Sequence, residues 1–368
     1  MSDVVTHDVD VETGYAEDRS RRIRLVISIA LVILFLLLLG LGFFVYKLVV
    51  PVGGATGEAQ SDGLVWVRSI YGFGPELVEQ FHAPTSAAFG PDGTIWGTDP
   101  SAARVLAFDP DGSFTGLIHQ GPSAQREGVM MQPEGMTVRE NGNVLVADFG
   151  REAVIEYTVD NEYVREWEVP VPLSIDERDG RIAVGTVYGV ALFDEDGELL
   201  NLWGTRGKGD DQFDVVHGIE IAENGNVYVS DTQNARVKAY DSEGELLWIT
   251  GFERGSSDST PTVGAPALQI PSGLTLDGAG RIVLVDPFEF SIVVLDPADG
   301  TEIARYGEDG SRDGRFLYPT GIDYDPLHDW FVVADTSNDR LQIARIFDSG
   351  GDFVGTARRL ASSPWRLC

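Results

Sequence analysis

The sequence contains a single cysteine, Cys368, and because it ends the chain no internal disulfide can form. Any part of the protein outside the cell must therefore be held by its own core. Positive charge is also scarce: 27 Lys and Arg stand against 58 Asp and Glu, a net charge of −31. Simple repulsion removes nucleic acid and anionic lipid surfaces from the expected partners, and solubility alone accounts for the excess of acid. There are only 5 histidines, and no Gly-x-Ser-x-Gly nucleophile elbow is present. After residue 50 the chain lacks long apolar runs and the 3.6-residue periodicity of a helical bundle. What it has instead is abundant Gly and Pro between short Val/Ile-rich segments, the composition of many strands joined by tight turns.

The one long apolar run lies near the N-terminus. Residues 25–46, LVISIALVILFLLLLGLGFFVY, are uncharged and reach the roughly 20 residues that a membrane-spanning helix needs. Arg19, Arg21, Arg22 and Arg24 precede the run, and only Lys47 follows closely. The positive-inside rule then puts the N-terminus in the cytoplasm and everything after Val50 outside. A cleaved signal peptide, with Gly53 and Ala55 near the cut, is the alternative; the run exceeds the usual apolar core of such peptides. The expected organisation is a cytoplasmic tail (1–22), a transmembrane helix (23–48), a Gly/Ala/Ser/Thr linker (49–63), a folded region (64–348) and a C-terminal tail (349–368).

The folded region repeats one unit. In the stretch Phe213 to Gly244, HGIEIA and NVYVSD alternate apolar and polar residues around an Asn-Gly turn, and RVKAYD follows as a third strand. A Pro-x-Gly-like entry starts each copy, at Pro84, Pro133, Pro172, Val216, Pro271 and Pro319. The spacings, about 39 to 55 residues, suit one four-stranded sheet per copy. Second strands end at Asp99, Asp148, Asp231, Asp286 and Asp335, and the third copy has no such aspartate. The stretches at 203–219 and 306–322 share a Gly-rich linker, a Phe and the next entry.

On these recurring entry, linker and strand-end motifs the chain resembles the NHL-repeat family over about Leu64 to Phe347. The Gly-His and Trp-Asp marks of WD40 repeats are absent. The resemblance implies an all-β, six-bladed β-propeller. Its sixth copy runs into a Gly-rich tail without a clear fourth strand, while LVWVRSIYG at 64–72 resembles the outermost strands of other copies. The N-terminal strand is thus expected to complete the last blade and to bury two edges that would otherwise invite aggregation. Acidic Asp-x-x-Gly turns such as Asp109 to Gly112 look faintly like calcium loops but lack the glutamate at the required spacing.

Three copies place an Arg five residues after the strand-end Asp: Asp99 with Arg104, Asp231 with Arg236 and Asp335 with Arg340. The expectation is that each pair fixes the loop between the second and third strands, with Asn234 and Asn338 assisting. Copy two has Ala153 in place of Arg, with Arg151 nearer; copy five has Ser291; copy three shortens the loop to only Thr186 and Val187. A shortened loop should leave a notch on the face that carries the linkers. The candidate ligand-binding residues around it are Glu134, Asp148, Arg151, Tyr188, Arg206 and His217, with Phe149 and Asp231 nearby. Glu134 and His217 are the only ionisable residues at the variable entry position, whose other occupants are Thr85, Leu173, Ser272 and Thr320.

In some relatives of this kind three histidines hold zinc, and in others a glutamate with Asn/Asp residues holds a divalent metal. Here His82 and His217 fall near the relevant face, whereas His119, His328 and His7 do not, so no metal, cofactor or catalytic set is expected. The reading is a membrane-tethered, extracytoplasmic binding or scaffolding module for a protein, peptide or cell-surface polymer. A metal-dependent lyase or lactonase-like enzyme is the alternative. The linker 251–270 could serve as a partner-contacting arm or as filler.

Overall fold

The computed structural model describes residues 60–61, 63–119, 129–251 and 266–347. The predicted cytoplasmic tail, membrane span, C-terminal tail and most of the 251–270 linker lie outside the described residues, as does nearly all of the 49–63 linker. Among the described residues no helix is long and apolar enough to cross a membrane.

Six antiparallel sheets follow one another along the chain. Blade 1 comprises Ala87–Phe89, Ile95–Asp99, Arg104–Phe108 and Phe114–His119; blade 2, Pro133–Val138, Val144–Asp148, Ala153–Tyr157 and Tyr163–Glu168. Blade 3 comprises Pro172–Arg178, Arg181–Thr186, Val190–Phe193 and Leu199–Trp203; blade 4, Val216–Ile221, Val227–Asp231, Arg236–Tyr240 and Leu246–Gly251. Blade 5 comprises Leu274–Leu276, Ile282–Asp286, Ser291–Leu295 and Glu302–Tyr306. Blade 6 has Pro319–Asp325, Trp330–Asp335 and Arg340–Ile346, and its fourth strand is Leu64–Ile70 from the other end of the domain. That strand runs antiparallel to Arg340–Ile346, with Leu64 opposite Ile346 and Ile70 opposite Leu341. The fold is the expected all-β six-bladed propeller, closed by its N-terminal strand.

The hairpins follow from local chemistry. At Asp179-Gly180 both residues have positive φ, 52° and 77°, and Arg178 pairs directly with Arg181. This is the two-residue turn whose twist matches that of the strands. At Asn141-Gly142 only Gly142 is left-handed, φ 86°, and the Asn141 side chain accepts the Asn143 N–H at 2.9 Å. A three-residue loop results.

The second strands of blades 1, 2, 4 and 5 and the third strand of every blade but the sixth are buried at every position. Strands flanked by a sheet on either side leave no face for solvent, which is why alternation fades there into continuous Val, Ile and Leu. Their side chains form six clusters, each spanning one pair of neighbouring blades. Val146 and Tyr157 of blade 2 pack with Trp96 and Val105 of blade 1, whereas Leu145 and Val154 from the same two strands of blade 2 pack with Val184 and Ala191 of blade 3. The core is thus a ring of layers, and closing the ring completes the layer between blades 6 and 1.

Candidate functional site

The innermost strands of all six blades converge on an axial cavity of about 110 Å³. At one end it is lined by the six variable entry residues, Thr85, Glu134, Leu173, His217, Ser272 and Thr320. Two of these are occupied with holding the ring. The Thr85 hydroxyl donates to the Glu134 carbonyl at 2.9 Å, and the Thr320 hydroxyl donates to the Thr85 carbonyl at 2.9 Å, so blades 6, 1 and 2 are stitched in series. Deeper in, the Ser174 hydroxyl donates to the Val216 carbonyl at 2.9 Å and joins blades 3 and 4.

Glu134 accepts a hydrogen bond from Gln132 Nε2 on Oε1 at 2.6 Å. Burial raises its pKa, bonds from Gln132 and Thr85 oppose the shift, and the Asp148 charge adds to it. His217 is exposed at the cavity mouth, and partial desolvation by the entry strands around it lowers its pKa, which favours the neutral imidazole. The mouth therefore presents a neutral base and a carboxyl group that resists ionisation.

At the other end of the cavity lie Asp176, Glu220 and Asp323. Sequence reasoning did not single them out. All three sit three residues after the variable entry position, in copies three, four and six, where copies two and five carry Thr137 and Thr275. Asp176 accepts the Ile221 N–H of the next blade at 2.7 Å, and Asp323 accepts the Phe89 N–H of blade 1 at 2.7 Å and the Thr275 hydroxyl at 3.2 Å. Burial raises the pKa of Asp323 to about 6 and that of Asp176 in the same direction. Glu220 is pushed well above the usual carboxylate range by burial, then by repulsion from Asp176 and Asp323, with Arg178 Nη2 3.9 Å away opposing.

The other candidates are dispersed. Asp148 is wholly buried, and its carboxylate accepts the N–H groups of Met131 at 2.6 Å, Gln132 at 2.8 Å and Arg151 at 3.0 Å. It braces the incoming linker and presents nothing to a ligand, a correction to the sequence expectation. The Arg151 guanidinium pairs with Glu166 at 2.6 Å on the outer strand of blade 2, so it is directed toward the rim of that blade. In blade 3 the short loop is a hydroxyl turn in which Thr186 Oγ1 accepts the N–H groups of Tyr188 and Gly189 at 3.1 Å, leaving Tyr188 47% exposed. Arg206 is on the linker before blade 4, its exposed guanidinium 3.6 Å from Asp214.

The Asp–Arg pairs act on the linkers more than on their own loops. Nε of Arg104, Arg236 and Arg340 donates to its aspartate at 2.9, 2.7 and 2.7 Å. Other guanidinium N–H groups reach linker carbonyls, Val78 and Gln80 for Arg104, Lys208, Gly209 and Gln212 for Arg236, and Arg312 and Arg315 for Arg340, while Arg340 Nη1 bonds the side chains of Tyr71 and Asp313. Asn234 and Asn338 extend the same grip to the carbonyls of Gly207 and Gly310. Lys238 adds to it in blade 4, donating to Asp210 and Gln212 over the Phe213 ring.

Among the described residues His82, His217 and His328 do not gather. His328 is at the opposite-face turn of blade 6, its Nδ1 2.5 Å from Asp325 Oδ2 and its ring stacked on Trp330, while His82 is exposed on the linker into blade 1. Among the described residues no three ligating side chains converge as a metal site would require.

No known family model matches the chain. Human NHL repeat-containing protein 3 is 24% identical over 229 residues, which cover 55% of this chain and 61% of that protein. The mouse protein of the same name is 23% identical over 236 residues, covering 57% and 63%. The chain has NHL-repeat homologues at low identity. It spans about three fifths of the length of those curated relatives. Among solved structures, a streptogramin B lyase superposes with a TM-score of 0.52 at 12% identity, over 78% of this chain and 100% of the lyase. Hydrazine synthase from Kuenenia stuttgartiensis gives 0.52 at 14%, over 73% and 97%. At such identities these likenesses speak for the NHL-like propeller fold alone.

Proposed function

We propose that this protein is a binding module whose ligand, a protein, peptide or surface polymer, docks on the linker face over the mouth of the axial cavity. The observation that carries the reading is the division of labour at the mouth. Thr85 and Thr320 hold neighbouring blades through backbone carbonyls, whereas His217, and Glu134 beside its bonds to Gln132 and Thr85, bring the only ionisable side chains of the entry ring to the cavity. A carboxyl group and a neutral imidazole together offer donors and acceptors that can exchange hydrogen bonds with a polar ligand. The apolar run at 25–46, with arginines on its N-terminal side, supports a tether that leaves the propeller outside the cytoplasm. Carbonate-resistant membrane association that is lost on deleting residues 1–48 is the expected result.

The test of the site is photo-crosslinking from position 173, between Glu134 and His217 around the mouth, in intact cells. Adducts that disappear in a Glu134→Gln/His217→Ala variant support the reading, and adducts unchanged in that variant overturn it. The enzyme alternative rests on the same pair acting as acid and base. Stoichiometric zinc or calcium retained by the purified full chain, lost together with binding in that variant, would favour it.

A further inference from the structure

The three linkers gripped by Arg104, Arg236 and Arg340, residues 71–81, 203–213 and 306–316, have equal length and a common plan. Each begins with an aromatic residue and a glycine, Tyr71-Gly72, Trp203-Gly204 or Tyr306-Gly307, with the glycine at positive φ. Each ends on a buried phenylalanine, Phe81, Phe213 or Phe316. In each, the carbonyl before that phenylalanine, from Gln80, Gln212 or Arg315, accepts from the gripping arginine. The chain thus contains two internal controls for what such a loop requires.

At the tip the three differ. The second and third linkers carry Gly209-Asp210 and Arg312-Asp313; the first carries Leu77-Val78. Both side chains are 74% exposed, the highest values for large hydrophobics among the described residues. The loop is rigid at this point. Leu77–Glu79 forms a single 3-10 turn, Glu79 Oε2 accepts the Glu76 N–H at 3.0 Å, and Arg104 holds the Val78 carbonyl at 2.7 Å. Phe73 donates its N–H to the Glu79 carbonyl at 2.9 Å and places its ring 4.8 Å from that of Phe114 on the outer strand of blade 1. The sister loops fold on the same grip with polar or absent tip side chains, so folding does not demand two aliphatic residues here.

We propose that Leu77 and Val78 form a preorganised knob that docks a basic amphipathic segment of a partner protein. The turn presents both side chains on a backbone that is already held by hydrogen bonds, so docking does not have to order that backbone. Glu76 and Glu79 border the knob, and the chain as a whole carries −31, so the complementary surface is an apolar strip edged with Lys or Arg. The same charge disfavours a second copy of this chain and an anionic bilayer. This surface is separate from the cavity mouth and does not depend on it.

The test uses the full chain and a synthetic fluorescent peptide of alternating Leu and Lys, read by anisotropy. Leu77→Gly/Val78→Asp copies the tip of the second linker and is expected to keep the thermal midpoint while weakening peptide binding by about tenfold or more. Glu76→Lys should weaken it less, and added salt should weaken the wild type. Glu134→Gln/His217→Ala should leave peptide binding unchanged, which separates this site from the cavity mouth. Equal affinity of wild type and tip variant, or no binding by the wild type, overturns the proposal. So does a tip-dependent association with phosphatidylcholine vesicles or with itself in sedimentation that exceeds peptide binding.

Discussion

The two ends of the axial cavity are made by the same six strands, yet they use their acids in opposite ways. At the far end Asp176 and Asp323 accept N–H groups from the next blade, so their oxygens are part of how the ring is held. At the mouth the Thr85 and Thr320 hydroxyls reach the backbone of the next blade, while Glu134 bonds Gln132 and Thr85 and lines the cavity with His217. An ionisable residue in a repeat is therefore informative about function only once the interblade bonds have been assigned. The three buried Asp–Arg pairs extend the lesson: they recur at one place in the repeat, and what they do is fasten linkers.

The comparison can be broken most severely at a fastening pair. Arg340→Ala leaves Asp335 buried without its guanidinium and frees the carbonyls of Arg312 and Arg315, for an expected loss of about 3–5 kcal/mol in chemical denaturation. A loss under about 1 kcal/mol would mean that the linkers hold themselves.

A smaller effect is expected at the far end, and it carries a sign. Asp323 has its pKa raised to about 6 from 3.8, chiefly by burial. A carboxyl that resists ionisation in the fold contributes stability that is full below about 3.8 and is lost as pH rises through about 6. Denaturation midpoints should fall over this window in the wild type, and Asp323→Asn, which keeps an acceptor for Phe89, should flatten the fall. An unchanged slope in that variant assigns the effect to Asp176 and Glu220.

The smallest stability effect belongs to the mouth. Glu134→Gln and His217→Ala should each change stability by only about 0.5 kcal/mol at neutral pH, as for substitutions away from structural networks. A loss of 2 kcal/mol or so in denaturation would move these residues into the fastening class and remove the basis for the proposed ligand site.

Much of the fold was legible because repetition multiplies weak local signals. Six entries, five strand-end aspartates and a spare N-terminal strand have one arrangement that gives every blade its four strands. The site was less legible, for reasons visible in particular residues. Asp148 matched the repeat and was also a candidate ligand residue; only its three N–H donors show that its lone pairs are taken. Arg104, Arg236 and Arg340 grip backbone carbonyls, which carry no side-chain identity and leave no trace in the sequence. Asp176, Glu220 and Asp323 did leave a trace, an acid at one fixed place in three copies, but comparison at the entry position alone passed over it.

The pairing of Leu64–Ile70 with Arg340–Ile346 also has a mechanical side. The segment that leads out of the propeller toward the N-terminus is the one that keeps the ring shut. Any load on the chain before Gln60 meets the short pairing of Gln60–Ser61 with Leu64 and Val65 and then Leu64 itself, the residue opposite Ile346 and part of the layer between blades 5 and 6. Tension there acts on the clasp of the ring before it acts on any other blade.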